Sequence, residues 1–137
     1  MTTGAYVEEL TPEVCRALLA SRDVGRIGFV GDDGFPVVFP VNYVVDGDTI
    51  LVRTTRGETA EHAPFHKVSF EVDHFDEATH TGWSLLVQGL AHDVTGAMDE
   101  SRQTMLRRVP TVWAPGERNV SISIGINRIG GRQIVRT

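Results

Sequence analysis

The chain has 137 residues, 41% of them apolar and 23% charged, with a formal net charge of −5 and a single cysteine. That length suits one hydrophobic core, and the composition is far from that of disordered or membrane-spanning chains. The acidic balance argues against nucleic acid or an anionic membrane as partner, and one cysteine excludes an internal disulfide.

The first ten residues hold Glu8 and Glu9 and no apolar run of the signal-peptide kind, so the chain is expected to be cytoplasmic. Thr11 and Pro12 mark a helix start, with Val14, Cys15, Leu18 and Leu19 as its apolar stripe and an end expected near Arg22 or Asp23. Cys15 on that stripe reads as a buried, inert thiol rather than a nucleophile. A strand begins at Val24, where Ile27 and Phe29 alternate with Arg26 and Gly28, and Asp33-Gly34 supplies a hairpin turn. Residues 35–45 are apolar on both faces, Val37, Phe39, Val41, Tyr43 and Val45 against Val38, Pro40 and Val44. Both faces therefore need cover, one from a barrel interior and the other from a ligand or a second subunit. Asp46-Gly47 is a second hairpin signal and leads into a strand at 49–54, completing a meander.

Past Gly57 a short helical turn is expected at 58–63, limited by Pro64. Residues 67–73 alternate Val68, Phe70 and Val72 with Ser69, Glu71 and Asp73, as a strand with one wet face does. A long strand follows at 81–94, and Gly89 in its middle marks a bulge or a close backbone approach. Met98, Met105, Leu106 and Val109 have helical spacing up to Pro110, and Val120, Ile122, Ile124 and Ile126 form the last β element. The expected architecture is one domain, mainly β with a few short helices: helix, four or five antiparallel strands, helix, final strand. A Greek-key or split β-barrel closes such a set with few exposed edges.

The succession Val24-Gly25-Arg26-Ile27, Pro40-Val41-Asn42-Tyr43, Arg53-Thr54-Thr55-Arg56-Gly57, Gly82-Trp83-Ser84-Leu85 with Gly89, and Trp113-Ala114-Pro115-Gly116 resembles the pyridoxamine 5'-phosphate oxidase-like split barrels that bind FMN. The likeness is strongest to the compact subgroup that includes nitroimidazole-resistance proteins, and it runs over about residues 10–134. It implies a homodimer holding FMN at the subunit interface. By resemblance, Arg53, Thr54, Thr55, Arg56 and Gly57, with Thr59, would meet the phosphate. Pro40, Val41 and Asn42 would line the isoalloxazine edge, Ser84 would reach the ring or ribityl chain, and Trp113 would come from the other subunit. The implied activity is a flavin-dependent oxidoreductase acting on a small substrate, with no residue marked as a catalytic acid or base.

The residues themselves are compatible with those roles. A guanidinium, hydroxyls and free backbone N–H groups just before a short helix suit a phosphate, although capping threonines in a surface turn have the same composition. Asn42 is a polar side chain on an apolar strand, and a buried amide left unpaired costs about 1 to 3 kcal/mol. A flavin edge, a neighbouring strand or a water would each satisfy it. One departure from the family pattern stands beside the site: Glu58 and Thr59 occupy positions where many relatives have threonine and lysine. That leaves room for a 5-deazaflavin coenzyme in place of FMN, or for a non-catalytic protein that binds or stores flavin or haem. His62 and His66 have the spacing of two metal ligands, but Pro64 between them argues against a regular helix, and no metal site is expected.

Overall fold

The computed structural model describes residues 4–54, 66–107 and 120–137. In chain order these form β1 (Ala5–Glu9), α1 (Pro12–Leu19), β2 (Val24–Val30), β3 (Pro36–Asp46), β4 (Thr49–Thr54), β5 (Lys67–Asp76), β6 (Thr81–Asp93), α2 (Glu100–Arg107), β7 (Val120–Gly125) and β8 (Arg128–Arg136). The strands lie in one sheet in the order β1-β8-β6-β5-β2-β3-β4-β7, and β7 pairs back onto β6. Every pairing is antiparallel. Strands β6, β5, β2, β3, β4 and β7 thus close a barrel, with β7 crossing over in Greek-key fashion to lie between β4 and β6. This is the mainly β, antiparallel split barrel expected from the pattern of turns and alternating strands.

The barrel splits along β6. One edge of that strand pairs with β5 from Thr81 to Leu90. The other edge pairs first with β8, from Gly82 to Gln88, and then with β7, from Ala91 to Asp93. Gly89 stands at the handover. A Cβ there would lie 1.6 Å from the Gly125 carbonyl oxygen, so the close backbone approach inferred for this glycine is real.

The alternating apolar faces of the strands fill the interior with Ile27, Phe29, Tyr43, Val52, Phe70, Val87 and Ile122, among others. Helix α1 contributes Cys15 and Leu19, both fully buried. Its first turn is capped by the Thr11 hydroxyl, which accepts from the Val14 N–H at 3.3 Å. The helix stops at Leu19, earlier than expected. Ser21 bonds back to the Leu18 carbonyl through both its N–H and its hydroxyl, and the Asp23 carbonyl accepts the Tyr43 N–H, which draws the chain into strand geometry. The Tyr43 hydroxyl donates to the Leu19 carbonyl, tying α1 to the barrel.

Two strands were not anticipated. All five residues of β1 are exposed, so it carries no buried-face alternation to recognise. In β8 the inward positions are Ile129, Gly131, Gln133 and Val135, and a glycine and a glutamine interrupt the apolar pattern. The expected helical turn at 58–63 and the end of the second helix at Val109 lie outside the described residues. No helix among the described residues is long and apolar enough to cross a membrane.

Candidate functional site

Register places the sequence-nominated residues on two faces of the barrel. Pro40, Asn42 and Arg53 face outward, and Asn42 and Arg53 are direct cross-strand partners between β3 and β4. Arg53 is in turn opposite Ser121 on β7. Val41 and Thr54 face the interior and are buried, so a ligand resting on the outer face would meet their backbone only. Ser84 also faces outward, but on the part of β6 that pairs with β8. The shorter way around the barrel from β6 to β4 runs through β7, which β6 meets only from Ala91 to Asp93. Ser84 lies about 23 Å of strand before Ala91, so one copy of the chain does not bring Ser84 to Arg53. Thr55, Arg56, Gly57, Thr59 and Trp113 lie outside the described residues.

Two clefts flank the Asn42–Arg53 pair. One, of about 310 Å³, is lined by Arg53, Thr95, Gly96, Gln103, Arg107 and Ser121, so two guanidinium side chains share it with hydroxyls and an amide. Helix α2 forms its wall. Asp99 caps that helix by accepting the Arg102 N–H at 2.9 Å, and Arg102 reaches Asp46 of β3 at 2.8 Å. The floor is fixed by Thr95, whose hydroxyl accepts the Ser121 N–H at 3.0 Å. The second cleft, of about 450 Å³, is lined by Arg22, Asp23, Val24, Arg26, Asn42 and Asp73.

Asn42 lines the second cleft, across the strand pair from Arg53 of the first, and is only 9% exposed. Among the described residues its side-chain amide finds no hydrogen-bond partner. Of the partners that sequence left open for this amide, a neighbouring strand is therefore not used among the described residues. The sequence pattern singles out neither Arg107 nor Ser121. Their convergence on Arg53 depends on β7 returning to β4, a long-range pairing that no local pattern announces.

Beyond Asn42 the same outer face carries an ionic cluster. Arg26 contacts Glu71 at 3.0 Å and Asp73 at 3.2 Å. Partial burial, then the hydrogen bond and charge of Asp73, push the Glu71 carboxyl up from its ordinary 4.5 to about 7, against the opposing pull of Arg26. The folded chain then keeps this proton where the unfolded chain has released it, so the group's contribution to stability falls as pH rises from about 4.5 to about 7. Glu71→Gln is expected to flatten the dependence of Tm on pH within that window. The side chain is 36% exposed, so solvent screening keeps the effect small. An unchanged slope in a thermal-shift series would contradict the assignment.

Residues 11–133 match the family described as pyridoxamine 5'-phosphate oxidase. The chain belongs to this family. Solved structures share its barrel fold. An FAD-binding protein from Mycobacterium smegmatis is 28% identical, with 93% of this chain and 98% of that chain covered and a TM-score of 0.69. An FAD-binding protein from Mesorhizobium loti, 20% identical with 96% and 99% covered, shares the fold at a TM-score of 0.73. Among curated proteins, an uncharacterized protein of Mycobacterium tuberculosis is 29% identical over 135 residues, which is 94% of this chain and 86% of that protein. Among the described residues no three His, Cys, Asp or Glu side chains gather as metal ligands.

Proposed function

We propose that this member of the pyridoxamine 5'-phosphate oxidase family binds a flavin on the outer face of β3, β4 and β7 and serves as a flavin-dependent oxidoreductase. The observation that carries the reading is the unpartnered, 9%-exposed amide of Asn42 directly beside Arg53. An amide presents both a donor and an acceptor, which suits the mixed donor and acceptor edge of a flavin ring. Arg53 and Arg107, with the hydroxyls of Thr95 and Ser121, supply the charge-assisted set that a phosphate requires. The FAD-binding relative at 28% identity supports a flavin as the cofactor class.

FMN is the proposed form, because its single phosphate fits one two-arginine cleft; FAD and a 5-deazaflavin coenzyme are the alternatives to be tested beside it. When bound, the flavin would supply the hydride or electron chemistry, and the protein would orient it and exclude water. A homodimer completes the proposal. The outer face would then be the shared seam, and Ser84 would reach the ring from the second copy rather than from the copy that supplies Arg53.

The test is cofactor binding by the purified chain. FMN is expected to quench and bind with saturation, and NAD(P)H is expected to bleach the bound flavin. Arg53→Ala should weaken FMN by about ten- to a hundredfold, the scale of a lost hydrogen bond to a charged group. Sedimentation should report a dimer. Absence of binding by FMN, FAD and deazaflavin alike would overturn the reading. A flavin held firmly but not reduced by any donor would place the chain among flavin-storing proteins instead.

A further inference from the structure

With β7 paired back onto β6, the terminal strand of the sheet is β1. Among the described residues β8 is its only strand neighbour, and every residue of Ala5–Glu9 is exposed. Which of its main-chain groups are spent follows from two contacts just beyond its ends. The Thr137 N–H donates to the Gly4 carbonyl at 3.1 Å, and the Leu10 N–H donates to the Gly131 carbonyl at 2.9 Å. Both fall in the register that runs from Ala5 with Arg136 to Glu9 with Arg132. Antiparallel strands bond at alternate residues. Gly4, Tyr6, Glu8 and Leu10 therefore turn their N–H and carbonyl groups to β8, and Ala5, Val7 and Glu9 turn theirs to the open edge.

That edge lacks the devices that keep edge strands apart, since no proline, lysine or bulge interrupts Ala5–Glu9. Its side chains also favour a particular partner. On the outer face Val7, 61% exposed, stands opposite Ile134, and Ile134 stands opposite Gly82. The Phe75 ring lies over Gly82, where a Cβ would come within 2.3 Å of it. An apolar row thus crosses β5, β6, β8 and β1 and stops at the open edge. Val7 is flanked on the same face by Ala5, small and neutral, and by Glu9, an anion.

We propose that β1 is a self-association edge, which pairs antiparallel with β1 of a second copy about a two-fold axis at Val7. In that register Val7 meets the partner's Val7, Ala5 faces the partner's Glu9, and Glu9 faces the partner's Ala5. All the open main-chain groups of Ala5, Val7 and Glu9 are then used, in about six hydrogen bonds, and the apolar row continues across the axis into its own image. Other registers fit worse. An axis at Glu8 or Glu9 sets like carboxylates against each other, and an axis at Ala5 or Tyr6 leaves Glu9 beyond the end of the partner's strand. This contact goes beyond the flavin reading, uses none of Asn42, Arg53 and Ser84, and is separate from a seam on β3, β4 and β7.

The experiment is sedimentation equilibrium of the full-length chain at concentrations up to about 1 mM, the weak limit for a transient contact. The unaltered chain is expected to reach at least double the mass of whatever species Val7→Pro forms. Proline there removes only an N–H on the open edge, so the β1–β8 pairing keeps its bonds and circular dichroism should be unchanged. Val7→Lys, which keeps that N–H but sets two ammonium groups against each other at the axis, is the second probe and should weaken the association. Two further variants read the register. Ala5→Lys, facing the partner's Glu9 on both sides of the axis, should tighten the association about two- to thirtyfold, and Ala5→Glu should loosen it by a similar factor. A seam dimer would persist in Val7→Pro, so the species that variant forms reports on the flavin reading, and the further doubling reports on this one. Equal masses for the unaltered chain and Val7→Pro would overturn self-pairing and leave the edge to an extended segment of another protein. Ala5→Lys and Ala5→Glu acting alike would overturn the register.

Discussion

Gly89→Ala is expected to yield little folded protein, and any folded fraction is expected to be destabilised by more than about 4 kcal/mol, the range reached only by severe core or backbone conflicts. The new Cβ would sit 1.6 Å from the Gly125 carbonyl oxygen and 2.9 Å from its carbonyl carbon. Both are backbone atoms, so no side-chain rotation relieves the contact. The only relief is to move β7 away from β6, and that breaks the pairing of Ala91 to Asp93 that closes the barrel. Gly125→Ala provides the control, because its own Cβ would meet nothing within 4 Å. It should change stability by no more than about 1 kcal/mol, the span of strand propensities. Denaturant unfolding followed by circular dichroism compares the two, and equal effects would refute the handover at Gly89.

Phe70→Ala should cost about 3 to 5 kcal/mol, as truncation of a fully buried aromatic does. The ring is 0% exposed and meets Tyr43 edge to face, with centroids 5.0 Å apart and planes at 76°. It also occupies the space that a side chain on Gly25 would need, since a Cβ there would come within 2.4 Å of the Phe70 ring. This gives the prediction a second arm. Gly25→Ala should be harmful alone but much less so beside Phe70→Ala, with a coupling of about 1 kcal/mol or more by double-mutant cycle. Additive effects would mean that the ring and the glycine are not packed on each other.

What was legible in the sequence followed from local chemistry. The Asp33-Gly34 and Asp46-Gly47 turns did mark hairpins, with Gly34 and Gly47 at positive φ, and the meander of β2, β3 and β4 came with them. The two-sided apolarity of residues 35–45 also has a structural answer. Val37, Phe39, Val41, Tyr43 and Val45 pack in or against the core, while Val38 on the other side is 63% exposed and lacks cover among the described residues. Strands β1 and β8 escaped notice because they bury little. Their partners are each other and β6, at separations that no short window spans.

The candidate site was legible only in part, for the same reason. Asn42 stood out because an amide on an apolar strand needs a partner, and Arg53 because a basic side chain stood at a strand exit. Alternation alone sorts Val41 and Thr54 to the interior, on the faces that carry Tyr43 and Val52. The placement of Ser84 could not be read in advance, since it depends on β5 intervening between β2 and β6. Nor could the meeting of Arg107 and Ser121 with Arg53, which needs both the fold of α2 over the barrel and the return of β7.

The two successive partners of β6 divide the molecule's cooperativity. The cyclic pairing of the barrel is complete without β8, so β8 and β1 can fray from the rim while the ring stays shut. Loss of β7, in contrast, turns the ring into an open sheet with two raw edges. Opening free energies should therefore rise in steps, from the solvent-facing β1, through β8 where α1 braces it, to the amides shared by β5 and β6, which are released only with the whole fold.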